Sequence, residues 1–366
     1  MSARETLGKL RLRAARYANR ALLGELVGGL PATGARSLME RSYHPDVAPH
    51  VADLSVLRPT TVLHYEFPPS YPLWFRRTKA LDDRIIASLR NVRVAPRTGL
   101  VWLPGGGPVV EESIGSLRRL MGWGGALHDP LVPIRPLRIE RPVIPLPFQG
   151  YYHWLLESLP AAMLAKRLRP EAALLIDSRS PTVLREAIVA WLGADALREE
   201  VVMAQGVLHA SELVFAALSP YSGFANPEDL KVLRDTYGAG GGSRRVYVSR
   251  GRTPRRQLAN ESEVEAALTG EGVEVVHAED LDFSGQWSLF SDAKLIVGPH
   301  GAGLANLVWS TAPSAVVEIF PSSMVNDCYA RLASSLGLKY DYLIASPDAK
   351  TSGRVDIAKL MGRIPS

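Results

Sequence analysis

Three short stretches of this sequence carry side chains suited to chemistry. The first is Gly298-Pro299-His300-Gly301-Ala302-Gly303-Leu304-Ala305-Asn306. It follows a short apolar run at 294–297 and leads into a helical pattern. Glycines let a backbone approach a ligand closely, and the free N–H groups at a helix start attract an anion. His300 adds a donor for a phosphate oxygen. A tight strand-to-helix corner needs glycine for packing as well, which is the plainer reading of the same residues. The second stretch is Ser249-Arg250, with Arg252, Arg255 and Arg256 close behind. Arg250 falls just past the carboxyl end of an expected strand, where α/β sheets bind ligands. A guanidinium suits phosphate, which it grips through paired hydrogen bonds. An arginine run is otherwise a solvated loop. Asn260, with Glu263 three residues on, has the pattern of a helix N-cap. The third stretch is Gln149-Gly150-Tyr151-Tyr152-His153-Trp154-Leu155-Leu156-Glu157. On a helix His153 and Glu157 lie four apart and share a face. Either could be a general base, or Glu157 could orient His153. A core histidine paired with a carboxylate would look the same, and two such ligands without a third make a weak metal site.

Glu318 stands in the apolar run Ala315-Val316-Val317-Glu318-Ile319-Phe320. A carboxylate there is costly unless paired. It is expected to meet an arginine or to accept hydrogen bonds from ligand hydroxyls. The sequence has no Gly-x-Ser-x-Gly, P-loop or His-Glu-x-x-His pattern. Serine hydrolase, ATPase and zincin readings therefore lack support.

The elements that must position these residues follow from periodicity. Residues 45–145 are rich in proline and short β-type runs, with strands expected at 61–65, 91–94 and 100–103. The Gly105–Gly107 triplet reads as a hairpin turn and 131–148 as extended chain. From Tyr151 the pattern alternates: helix at 151–169, strand at 172–176, helix at 181–192, strands at 201–204 and 212–216. This predicts a parallel sheet covered on both sides. The glycine-rich stretch 238–243 reads as a flexible hinge. Beyond it strands are expected at 246–249, 273–277, 294–297 and 315–319. Helices are expected between and after them at 261–268, 284–291, 304–309 and 326–336. Two α/β units joined by a hinge would enclose a cleft.

The 366 residues suffice for two domains, with ordinary globular proportions of 46% hydrophobic and 22% charged residues. The one cysteine, Cys328, excludes an intramolecular disulfide and a zinc site built on several thiolates. No apolar run reaches the roughly 20 residues that span a bilayer. With no secretory h-region either, a cytoplasmic setting is expected. The net charge of +5 is concentrated. Residues 1–20 hold Arg4, Lys9, Arg11, Arg13, Arg16 and Arg20 against Glu5, leaving 36 groups of each sign elsewhere. Nucleic-acid binding, which spreads basic charge over a folded face, is not expected. Leu7, Leu10, Ala14, Tyr17, Ala18 and Leu22 recur at helical spacing among these cations. The leader is either a surface helix packed on its own protein or a peripheral helix drawn to anionic lipid.

Together these motifs resemble the glycosyltransferase family 61 catalytic domain. The matching residues are Tyr151–Glu157, then Val246-Tyr247-Val248-Ser249-Arg250, Arg256 with Asn260-Glu261, Phe283 with Gln286 and Phe290, Val297–Asn306 and Val317-Glu318-Ile319. They span roughly residues 148–340. The resemblance implies an α/β protein of the GT-B type, two Rossmann-like domains facing a cleft, preceded here by the β- and proline-rich region. Taken with the charge and glycine patterns, the expected division is a leader at 1–30, an acceptor-side domain at 31–237, the hinge at 238–243, a nucleotide-sugar-binding domain at 244–345 and a tail at 346–366. The resemblance also implies inverting, metal-independent transfer from a nucleotide sugar to a glycan or lipid-linked glycan, as in bacterial capsule or cell-surface polysaccharide synthesis. No cofactor beyond the donor substrate is expected. The donor would meet Arg250, Arg256, His300, Gly301, Ala302, Gly303, Asn306, Gln286 and Glu318, and the base would be Glu157 or His153. Residues 1–25 would bring the enzyme to the inner face of the cytoplasmic membrane. The alternatives are a polysaccharide pyruvyl-type transferase on a similar scaffold and a non-catalytic nucleotide- or glycan-binding subunit.

Overall fold

The structure is a computed structural model that describes residues 51–57, 62–72, 78–80, 84–103, 108–109, 137–218, 223, 226–253 and 256–365. The leader at 1–30, the Gly105–Gly107 triplet and Arg255 lie outside the described residues. Strands β1 (Val51–Leu57), β2 (Val62–His64), β3 (Thr78–Ala80), β4 (Arg84–Val94), β5 (Val101–Trp102) and β6 (Pro108–Val109) come first. β7 (Arg138–Ile139) and β8 (Val143–Pro145) precede a long helical run, α1. This run consists of Tyr151–His153, a π-helical turn at Trp154–Ser158 and Leu159–Leu168. Then follow β9 (Ala173–Asp177), α2 (Thr182–Leu192), α3 (Ala196–Glu199), β10 (Val201–Ala204), β11 (Leu208–Ala216) and α4 (Pro227–Tyr237). The second half holds β12 (Arg244–Val248), α5 (Glu261–Gly270), β13 (Glu274–Val276), α6 (Phe283–Ser291) and β14 (Ala293–Pro299). It continues with a 3₁₀ helix (Ala302–Trp309), β15 (Ala315–Phe320), α7 (Cys328–Ser335), β16 (Lys339–Ile344) and α8 (Ile357–Met361).

The first sheet runs β10-β9-β8-β11-β4-β5-β6, with β1 paired to β4 and β7 to β11. Only half of it is parallel. β10, β9, β8 and β11 are parallel neighbours, but β4 joins β11 antiparallel, and β1 and β5 pair antiparallel with β4. The expected parallel sheet is thus corrected to a mixed one. The proline-rich early region adds its strands β1, β4 and β5 to the same sheet through antiparallel pairing. β5 and β6 pair antiparallel. Helix α4 has no counterpart among the expected elements, yet its start signals are present. Asn226 accepts from Glu228 N, proline opens the helix, and Glu228 and Asp229 lie in the first turn.

The second sheet is parallel throughout, in the order β13-β12-β14-β15-β16. In chain order that is 2-1-3-4-5. Connections diverge to either side of β12 and β14, and a crevice opens between their carboxyl ends. β14 is buried along nearly its whole length, as a central parallel strand must be. One cluster of buried side chains joins the two sheets, from Ile144 and Leu174 through Trp154, Phe283 and Trp309 to Val246 and Ile296. The glycines at 240–242 lie tight against the second unit. A Cβ on Gly242 would fall 1.7 Å from Asp292 Oδ1, and Gly240 N donates to Trp309 O. Tyr65, Phe67 and Tyr71, early in the chain, pack on Phe320, Ala330 and Tyr342 of the second sheet's side.

Candidate functional site

Arg250 stands two residues past β12, at the mouth of the β12/β14 crevice. Its backbone is fixed by Glu261 at the start of α5. Glu261 Oε1 accepts from Arg250 N (3.0 Å), Ser249 Oγ (3.1 Å) and Tyr247 Oη (2.9 Å). Ser249 Oγ also lies 2.6 Å from Glu265 Oε1. Asn260, expected as the cap of this helix, does other work. It is buried, donates to Val355 O at 3.0 Å and accepts from Val355 N at 2.9 Å, while Glu263 pairs with Arg354. A buried amide gains more from pairing a closed backbone segment than from a half-solvated cap. Arg256 adopts a left-handed φ of 59°, uncommon for a residue with a Cβ. Burial, then the charge of Arg256, pulls the Arg250 pKa down from its ordinary value, so two cations share this corner.

Across the crevice lies the glycine turn. A Cβ on Gly301 would fall 2.1 Å from Arg250 Nη1, so only glycine admits the guanidinium here. Gly301 O accepts from Tyr329 Oη at 2.6 Å. His300 Nδ1 meets Glu318 Oε1 at 2.5 Å, and Glu318 Oε2 accepts from Tyr340 Oη at 2.5 Å. The ring lies between Phe320 and Tyr329, at centroid distances of 5.5 and 5.3 Å. Glu318 is fully buried, which pushes its pKa up against the opposing pull of His300, Tyr340 and Arg256. With Nδ1 engaged, Nε2 is the nitrogen of His300 left to meet a ligand. Glu318 was expected to touch an arginine or a ligand hydroxyl. It does neither, because it has no exposed surface and both its oxygens are taken, so it acts through His300.

Asn306 is likewise withdrawn from any donor. It is fully buried and all its hydrogen-bonding capacity is used. Nδ2 donates to Gln286 Oε1 (2.9 Å) and Gly303 O (3.1 Å), and Oδ1 accepts from Tyr151 Oη (2.8 Å) and Trp309 Nε1 (3.1 Å). Asn306 therefore ties α1 of the first unit to the glycine turn of the second. Burial raises the Tyr151 pKa beyond the ordinary phenol range, so the hydroxyl stays a donor. His153 Nδ1 meets Glu157 Oε2 at 2.9 Å, as the four-residue spacing predicted. Glu157 is buried and His153 partly exposed. This pair does not line the cleft at Arg250. It connects to that cleft through rings: His153 on Tyr152 (5.4 Å), Tyr152 on Tyr329 (5.7 Å) and Tyr329 on His300.

The cleft is lined by Tyr151, Val248, Arg250, Glu279, Gln286 and Gly301, among others. Of the residues expected to meet the donor, Arg250, Gln286, Gly301 and Gly303 line this cleft, with His300 and Ala302 next to Gly301 in the chain. Sequence reasoning missed Tyr329, Tyr340, the bracing by Glu261, and Glu279. Glu279 was the most findable, as an acid just past a strand end. Among the described residues no three His, Cys, Asp or Glu side chains group as a metal site.

Comparison with known proteins agrees with this geometry. Residues 151–317 match the sequence profile of the family described as Glycosyltransferase 61. The chain is also 34% identical over 98 residues to the EGF domain-specific O-linked N-acetylglucosamine transferase of Drosophila melanogaster. That stretch is 26% of this chain and 18% of the relative, so the chain spans a small part of the relative's length. The matched span holds α1 with its His–Glu pair, the Arg250 corner and the glycine turn, and the chain carries a glycosyltransferase 61 domain over these residues, 151–317.

Proposed function

We propose that this protein is an inverting glycosyltransferase of the GT-B type that takes its sugar from a nucleotide-sugar donor. The observation that carries this reading is the cleft at the β12/β14 crevice, where Arg250 faces the Gly301–Gly303 turn beside His300. Two cations and a glycine-rich corner suit a diphosphate. In the reaction the acceptor oxygen attacks the anomeric carbon as the carbon–oxygen bond to the diphosphate breaks. The electron pair leaves with the diphosphate, whose charge Arg250, Arg256 and His300 neutralise. This reading requires no metal, and activity should survive chelation by EDTA. His153 takes the acceptor proton, with Glu157 holding its ring through Nδ1. Attack from the face opposite the leaving group inverts the anomeric centre.

The acceptor in this reading is a glycan or lipid-linked glycan of cell-surface polysaccharide synthesis, met at the cytoplasmic face of the membrane. The support is the concentration of the net charge in residues 1–20. Cations near an anionic surface contribute about 1 kcal/mol each, and salt screens them. Flotation with anionic liposomes should therefore require residues 1–25 and fail at high salt.

Calorimetry with nucleoside diphosphates tests the donor site. Arg250→Ala should weaken binding by about 1.5–3 kcal/mol, as for a hydrogen bond to a charged group. Unchanged affinity in the folded variant would move the site elsewhere. Turnover of phosphoenolpyruvate in place of nucleotide sugars would replace the reading with a pyruvyl transferase.

A further inference from the structure

The groups along the carboxyl edge of the second sheet stand in a fixed order. Glu279 follows β13, Arg250 follows β12, and His300 with the glycine turn follows β14. Glu318 lies on β15, bonded to His300. In the nucleotide-sugar reading, the diphosphate lies between Arg250 and the glycine turn. The two ends of the donor must then point in opposite directions along this edge. Toward β15 lie His300 and, through Tyr329 and Tyr152, His153, so the reacting sugar belongs on that side. The nucleoside is left with the β13 side, where Glu279 lines the cleft.

A carboxylate beside a diphosphate repels it, so Glu279 must face a part of the ligand that donates hydrogen bonds. Glu279 is exposed, and among the described residues its carboxylate has no hydrogen bond or ion pair. Its neighbour Asp280 is already paired with Arg252. β13 is the second strand of its unit, and an acid just beyond the second strand of a parallel α/β sheet is well placed for vicinal hydroxyls. We propose that Glu279 accepts hydrogen bonds from the 2′- and 3′-hydroxyls of the ribose, making it a specificity residue for ribonucleoside diphosphates. This rests on the nucleotide-sugar reading of the cleft.

The test is calorimetry on the full chain. The ligands are the ribonucleoside diphosphates, their 2′,3′-dideoxy counterparts and inorganic pyrophosphate. The wild-type protein should bind the ribo form at least about tenfold more tightly than the dideoxy form, a ratio equivalent to about 1.4 kcal/mol. Glu279→Ala should lose about that factor on the ribo form, show no ribo–dideoxy preference, and keep or improve its pyrophosphate affinity. The side chain is exposed, so the variant should fold, and its melting temperature checks this. The proposal is overturned if the variant keeps the ribo preference. A loss seen with nucleotide sugars but not with nucleoside diphosphates also overturns it, because Glu279 would then hold the transferred sugar. If no nucleoside diphosphate binds the wild-type chain, the donor reading fails first and this inference with it.

Discussion

Substituting Asn306 offers a direct measure of how the two units are held together. Asn306→Leu keeps the volume of the side chain and deletes its four hydrogen bonds. Tyr151 Oη, Trp309 Nε1 and Gln286 Oε1 all lose their partner, and Trp309 and Gln286 are at 0% and 6% exposure. Each buried polar group left unpaired costs about 1–3 kcal/mol, so these three predict a loss of about 3–9 kcal/mol. Tyr151→Phe removes a single bond and leaves Asn306 Oδ1 still paired with Trp309. That change should cost about 0.5–1.5 kcal/mol. Against the usual total stability of about 5–15 kcal/mol the difference is large. Urea denaturation followed by circular dichroism reads both losses as midpoint shifts at constant slope. If Asn306→Leu costs no more than Tyr151→Phe, the network does not carry the assigned load.

Other variants separate binding, chemistry and stability. Gly301→Ala should fold normally, because the clash falls on the flexible end of Arg250, yet it should lose nucleoside diphosphate affinity much as Arg250→Ala does; retained affinity would place the guanidinium elsewhere. His153→Ala should lower kcat by about 10²–10⁴ while leaving donor affinity near normal, and near-normal turnover would make the His153–Glu157 pair structural. Arg84→Met strips the partner from Asp229 in a buried ion pair and should cost about 3–5 kcal/mol in chemical denaturation; a loss under about 1 kcal/mol would show that the site relaxes or hydrates. Burial already raises the Asp229 pKa, against the pull of Arg84, and a raised carboxyl favours the fold at low pH and loses that contribution as pH rises. The Arg84→Met variant should therefore lose stability more steeply than wild type between about pH 4 and neutrality, and parallel pH profiles would refute this.

Sequence alone determined what depends on local spacing. The i,i+4 geometry of a helix puts His153 against Glu157 whatever surrounds them, and a run such as Val246-Tyr247-Val248 before Ser249-Arg250 places the arginine at a strand end. The alternation of helices and strands in the second half, and the glycine turn after β14, were legible for the same reason. Tertiary structure decided everything that depends on pairing between distant segments. His300 and Glu318 are 18 residues apart, and they meet because β14 and β15 pair Gly298 with Glu318 in register. One step of register would have turned that carboxylate to the other face of the sheet. Asn260 carries the local signature of a cap, yet the approach of Val355, 95 residues away, made it a buried strut instead. The early proline-rich strands fixed the mixed character of the first sheet only by choosing β4 as the antiparallel neighbour of β11. Glu279 follows a strand end that the sequence shows, but nothing local records that β13 ends at the mouth of the Arg250 cleft.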